Sequence, residues 1–182
     1  MADAGPMTLF TAPGSRAQIV EWFAKEVNAN MVLQDVGDRT SAEYLQVHPF
    51  GKLPAGKAAD DTPIFESGAL LLYLADAYGG ADTAEKRVAG TKWVLWANAS
   101  YWPAVEGTRR APAAMCAGVE QILAKQPFLL GREFSVADAA VGAYLHYTQA
   151  FFREKFSGYP AIQRYLAAIQ ARPHFRSTIG AE

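Results

Sequence analysis

The sequence predicts a small α/β unit at the N-terminal end followed by an all-helical unit. Three observations carry that reading. Short apolar runs alternate with amphipathic stretches up to residue 78; beyond Asp82 no strand pattern appears and everything reads as helix; and Tyr78-Gly79-Gly80 separates the two textures. The units are drawn at residues 1–79 and 83–182. With 182 residues, 51% hydrophobic and 12% aromatic, the chain can bury a core, and nothing in it reads as disordered.

Met7-Thr8-Leu9-Phe10-Thr11 reads as the first strand. Ala12-Pro13-Gly14-Ser15 is a turn, and residues 16–27 form a helix with Ile19, Val20, Phe23 and Val27 on one face. Residues 31–36 are a second strand, and a βαβ unit implies a parallel pair. Residues 40–47 read as a short helix or an irregular segment, with Ser41 placed as a cap. Lys52-Leu53-Pro54 leads through a proline into a third strand, which Asp60-Asp61-Thr62 turns back on a partner around Pro63-Ile64-Phe65. Glu66-Ser67 opens the next helix, with Ser67 as its N-cap and Ala69, Leu70, Leu71, Tyr73 and Leu74 as its buried body. The order βαβ–α–ββα is that of a thioredoxin-like domain.

The second unit reads as helices over residues 84–107, 112–125, 134–152 and 160–172. Trp93 and Trp96 are three apart, share a face and are expected in the core. Phe134-Ser135-Val136-Ala137-Asp138 is architecture: Ser135 caps a helix, Asp138 returns a hydrogen bond to its start, and Phe134 packs back as a staple. Arg109-Arg110 reads as a solvated charge pair, and His48 is given no role.

Charge is balanced, 17 basic residues against 18 acidic, so no field steers nucleic acid or an anionic membrane. The single cysteine, Cys116, cannot form an internal disulfide, which fits a reducing, cytoplasmic setting. No apolar run is long enough to span a membrane, and the first seven residues show no leader. His48, His146 and His174 lack ligand spacing, so no metal is expected.

The site is expected where Leu53-Pro54 meets Glu66-Ser67. An X-Pro bond loses most of its trans preference, and a cis bond here would turn the Leu53 N–H and C=O outward. The helix start beside it offers N–H groups and partial positive charge. A peptide-like ligand then docks as an added strand, its acidic end at Ser67.

Pro49-Phe50-Gly51-Lys52-Leu53-Pro54 followed by Phe65-Glu66-Ser67 resembles the N-terminal domain of glutathione transferases, and the resemblance extends over nearly the whole chain. It implies glutathione as co-substrate, with the cysteinyl part paired to the backbone at Leu53-Pro54. Ser67 would hold the γ-glutamyl carboxylate, Glu66 would lie near the amino group, and Lys52 would reach the cysteinyl-glycine part. It also implies a cytosolic homodimer that conjugates the glutathione thiolate to small hydrophobic electrophiles in detoxification. Glutathione-dependent peroxide reduction stays open. Tyr101 and Trp102 would wall the electrophile pocket. The helical half is shorter than in most of the family.

The chemistry is expected at the first turn. A thiol is mostly protonated at neutral pH, and lowering its pKa by about two units takes roughly 2.7 kcal/mol of preference for the anion. A hydroxyl, a cation and a helix N-terminus can supply that together. Ala12 stands where serine-type relatives place the activating hydroxyl, Arg16 stands where cysteine-type relatives place the thiol, and the turn has no tyrosine. Ser15 is therefore read as donor, Arg16 as electrostatic support and Thr11 as the alternative donor; the plain reading of Ser15 is a helix cap. The missing hydroxyl keeps a non-catalytic, glutathione-binding or protein-docking module as the rival.

Overall fold

β1 (Met7–Thr11) is the strand on which the sheet is built, with Met7 and Leu9 buried at the centre of the molecule. The computed structural model describes residues 5–181, so the reading of residues 1–4 as leaderless lies outside it. β1 pairs in parallel with β2 (Met31–Asp35) and antiparallel with β3 (Ala55–Lys57), which pairs antiparallel with β4 (Pro63–Phe65). The order is β2-β1-β3-β4. Gly56 faces Leu9 across the β1–β3 pair, and a Cβ there would lie 2.6 Å from the Thr8 carbonyl oxygen. The Leu53–Pro54 peptide ahead of β3 is cis.

α1 (Ala17–Glu26) buries Ile19, Val20 and Phe23 as its period requires. Val27 lies past its end and is only half-buried, whereas Trp22, outside the expected face, is fully buried. α2 (Ala42–Val47) is capped by Ser41, whose hydroxyl accepts from Tyr44 N at 3.2 Å. α3 (Ser67–Ala77) corrects the sequence reading. Ser67 is its first helical residue, not its cap; Glu66 precedes it at φ 74°, and the Ser67 hydroxyl turns toward the helical half.

In that half, α4 (Ala84–Leu95) runs into a wider π-helical turn (Trp96–Tyr101) and then α5 (Trp102–Thr108). Pro103 explains the widening: it lacks an N–H and its ring crowds the carbonyl one turn back, so the turn before it opens. α6 (Ala113–Leu123), α7 (Val136–Phe152), α8 (Pro160–Gln170) and α9 (Pro173–Arg176) complete the chain. Arg109 ends α5 with its guanidinium 5.0 Å from the centre of the Phe152 ring, so it is not simply solvated. Trp93 and Trp96 are half-buried: they pack against the core, Trp96 stacked on Tyr101 at 5.2 Å, and also line an open apolar groove with Met115, Val119 and Ile122.

The thioredoxin-like part and the helical part share one core. Met7, Leu9, Trp22, Phe23, Leu70 and Leu74 belong to the same cluster as Val94, Tyr101, Val141, Tyr144 and Ile169. α7 forms its axis, buried almost continuously from Val136 to Leu145. Phe134 reaches across the seam. Its ring lies 5.2 Å from Trp22 and under the Arg172 guanidinium at 4.2 Å. Arg172 is held by Glu26 of α1 through two bonds of 2.8 and 2.6 Å. Burial pushes the Glu26 carboxyl up, but Arg172 and the Trp22 indole N–H outweigh that and hold it below the usual range.

Candidate functional site

Three cavities meet at the turn between β1 and α1. The smallest, about 170 Å³, lies between Arg16, Lys52, Leu53, Pro54, Glu66 and Ser67, with His48 behind them. The largest, about 510 Å³, runs from Ala12-Pro13-Gly14-Ser15 to Asp35, Arg39, Lys52 and Leu53. The third, about 360 Å³, faces the helical half, where Trp102, Glu106, Tyr144, Tyr147 and Phe151 stand opposite Gly14, Ser15, Arg16 and Gln18. Each pair shares walls. Lys52 and Leu53 join the first two, Gly14 and Ser15 the last two, and Arg16 the first and third.

Local folding accounts for these placements. The Lys52 carbonyl accepts from the Tyr44 hydroxyl at 2.6 Å, which fixes the segment ahead of Pro54 against α2. Glu66 sits at positive φ (74°), which a side-chain-bearing residue avoids at a cost of roughly 1–3 kcal/mol. That kink aims the first turn of α3 at the cavity. Ser67 is 3% exposed, and its hydroxyl donates to Asn98 Oδ1 at 3.1 Å. The Ser15 oxygen accepts from Ala17 N at 3.4 Å and, at a long 3.5 Å, from Ala12 N. Those bonds use its lone pairs and leave the hydroxyl proton to donate elsewhere.

The structure brings Ser15, Arg16, Lys52, Leu53, Pro54, Glu66, Ser67 and Trp102 to these cavities and leaves two expected residues out. Thr11 ends β1 opposite Asp35 and lines none of the three. Tyr101 requires a correction: it is 0% exposed, its hydroxyl is 3.0 Å from Thr148 Oγ1, and it lies in the core. The π-helical turn rotates Tyr101 inward and Trp102 toward the cavity.

Several residues went unread. Tyr144, Tyr147 and Phe151 recur at i, i+3 and i+7 along α7, a stripe that the helical period exposes once that face is known to be a wall. Their rings pack together: Trp102 lies on Tyr144 at 5.1 Å, and Tyr147 on Phe151 at 5.2 Å. Burial pushes the Tyr144 hydroxyl up, against a pull from Arg16, so it stays protonated. His48 is buried 5.0 Å from the Phe65 ring, its Nδ1 accepts from Phe50 N at 3.3 Å, and burial holds its pKa below the ordinary value. Cys116 is buried in α6, its thiol pushed up to about 11 by burial, far from a reactive thiolate. Among the described residues no three acidic, histidine or cysteine side chains gather as a metal site, and no helix is long and apolar enough to cross a membrane.

A thioredoxin-like unit packed on helices, with a cis proline and a kinked helix start at one cavity, defines a class of protein. Residues 5–76 match the profile of the glutathione S-transferase N-terminal domain, and residues 103–168 that of the glutathione S-transferase C-terminal domain. The chain belongs to the glutathione S-transferase family. It is 26% identical over 198 aligned positions to the disulfide-bond oxidoreductase YfcG of Escherichia coli, covering 91% of this chain and 90% of that one. It is 25% identical to glutathione S-transferase GstB of the same organism, covering 80% and 82%. A glutathione transferase structure from Methylococcus capsulatus superposes with a TM-score of 0.78 at 26% identity, over 96% of this chain and 98% of that one.

Proposed function

We propose that this protein is a cytoplasmic glutathione transferase that joins the glutathione sulfur to small hydrophobic electrophiles. The observation that carries the reading is the meeting of three cavities at residues 14–16. With the γ-glutamyl carboxylate at Ser67 and the cysteinyl backbone along Leu53, the thiol falls beside Ser15 and Arg16, and the aromatic cavity opens on its far side. Ser15 donates a hydrogen bond to the sulfur and Arg16 supplies positive charge, both favouring the thiolate. Thr11 remains an alternative donor only if β1 shifts. The sulfur attacks the electrophilic carbon, the C–S bond forms as the leaving group departs, and the thiol proton passes to solvent.

Calorimetry with glutathione tests the binding half of this. The parent binds, and Ser67→Ala weakens binding by about tenfold or more, the worth of one charge-assisted hydrogen bond. Equal affinity in the two proteins, or no heat in either, rules the reading out. A second reading is favoured by the similarity to YfcG, whose name is that of a disulfide-bond oxidoreductase. With no thiol at the first turn and Cys116 buried, such a reduction, or that of a peroxide, would run between glutathione sulfurs. Turnover of a glutathione mixed disulfide without conjugation of any aryl halide would select it. Binding without turnover of either kind would select the non-catalytic module.

We also propose a homodimer. Phe50 is 71% exposed beside Phe65 (ring centres 6.1 Å apart), and the groove lined by the half-buried Trp93 and Trp96 is open. Phe50→Asp is expected to weaken dimerisation by about a hundredfold, as loss of a central aromatic anchor does. Light scattering across a dilution series reads this out, and an unchanged dimer would remove Phe50 from the interface.

A further inference from the structure

Asn98 sits in the π-helical turn and lines neither the Ser67 cavity nor the aromatic one, yet it touches a residue of each. Its Oδ1 accepts the Ser67 hydroxyl at 3.1 Å and the Tyr144 hydroxyl at 2.7 Å. Its Nδ2 donates to the Val94 carbonyl at 2.9 Å, which fixes the amide orientation and so makes Oδ1 the acceptor of both hydroxyls. Gly68 lets the start of α3 come this close, since a Cβ there would lie 3.2 Å from Val94 Cγ1 and 3.6 Å from Asn98 Nδ2. A carboxamide oxygen shared by hydroxyls from α3 and α7 therefore joins the two cavities.

We propose that Asn98 is a positioning residue that couples the glutathione cavity to the aromatic cavity, by accepting the Ser67 hydrogen bond in the empty site and giving it up when the hydroxyl turns to the ligand. The proposal rests on glutathione binding at Ser67. The Ser67 hydroxyl has one proton. In the empty site that proton points at Asn98, and a ligand carboxylate must draw it away. Asn98 Oδ1 is then left with Tyr144 as its donor, so a buried carbonyl oxygen is never orphaned. Tyr144 thus makes it easy for Ser67 to turn toward the ligand. A substrate that moves Tyr144 in the aromatic cavity changes the affinity of the other cavity through the same oxygen. The aromatic wall is in this way a determinant of glutathione affinity as well as of electrophile shape.

Arg16 shares the aromatic cavity with Tyr144, lines the Ser67 cavity as well and pulls on the Tyr144 hydroxyl electrostatically, so a second route exists and the experiment must separate the two. Glutathione affinity is measured by calorimetry for the parent, Tyr144→Phe, Asn98→Ala, and the two combined. Tyr144→Phe is expected to weaken binding about tenfold, because the Ser67 swing then leaves Oδ1 without a donor. In the Asn98→Ala background there is no oxygen to orphan, and the same change is expected to cost less than about twofold. Asn98→Leu, of the same shape and without a polar atom, serves as a second background should the alanine variant fold poorly, and thermal melts of every variant accompany the titrations. A Tyr144→Phe protein that binds glutathione as the parent does overturns the coupling. So does a loss that persists undiminished in the Asn98 background, which would assign the effect to Arg16. A parent that gives no heat with glutathione overturns the ligand reading underneath, an outcome distinct from both.

Discussion

Asp138→Ala is expected to destabilise the protein by about 3–5 kcal/mol, the usual cost of stripping a buried, multiply bonded charge. Asp138 is 0% exposed and accepts from Leu129 N (2.9 Å), Ser135 N (3.0 Å), Ser135 Oγ (2.7 Å) and Tyr165 Oη (3.1 Å). Alanine leaves all four donors facing a void at the start of α7, the helix on which both halves pack. For a chain of this size the melting temperature should fall by roughly 6–20 °C. A shift under about 3 °C would show that water or rearrangement replaces the carboxylate. Burial pushes the Asp138 carboxyl up, against the pull of its four donors. The folded chain then holds that proton more tightly than the unfolded one, so this group's contribution falls as pH rises from the ordinary aspartate range through the raised value. The alanine variant should lack that slope.

Arg16→Ala should cut kcat/KM for aryl-halide conjugation by about a hundredfold, if the arginine supplies most of the roughly 2.7 kcal/mol that two units of thiol acidity require. Ala12 offers no hydroxyl, and Ser15 can give one hydrogen bond, which alone is worth about 0.5–1.5 kcal/mol. The remainder falls to the cation that lines both the Ser67 cavity and the aromatic one. Arg16→Lys keeps the charge and should recover much of the loss. The decisive readout is the pKa of bound glutathione, followed by thiolate absorbance against pH. It should rise in the alanine variant, and an unchanged value would hand the role to Ser15 or to the helix start.

What the sequence made legible was whatever is encoded locally. The strand at Met7–Thr11, the cap at Ser41, the Asp60-Asp61-Thr62 reversal and the Ser135–Asp138 exchange depend on neighbours within a few residues. The candidate ligand residues around Leu53-Pro54 and Glu66-Ser67 could be named because they lie on one short stretch. The helical wall could not. Which of Tyr101 and Trp102 faces the cavity is decided by a single wide turn forced by Pro103, and a regular helical wheel assigns the pair differently. Ser67 was misread as a cap because a Glu-Ser pair before an apolar run ordinarily is one; the positive φ of Glu66 has no local signature. Trp22 lies off the apolar face expected of α1 and Phe134 was read as a staple, and only their contact across the seam shows why both are large.

Because α1 packs on α7 and α3 on both α4 and α7, neither half can be exchanged for that of a distant relative without refitting the join. Selection on the aromatic wall is therefore yoked to selection on the cavity at Ser67. Remodelling of the aromatic cavity would, in this chain, have to start at the rim, through the exposed Glu106 and Phe151, because Tyr147 already belongs to the shared core.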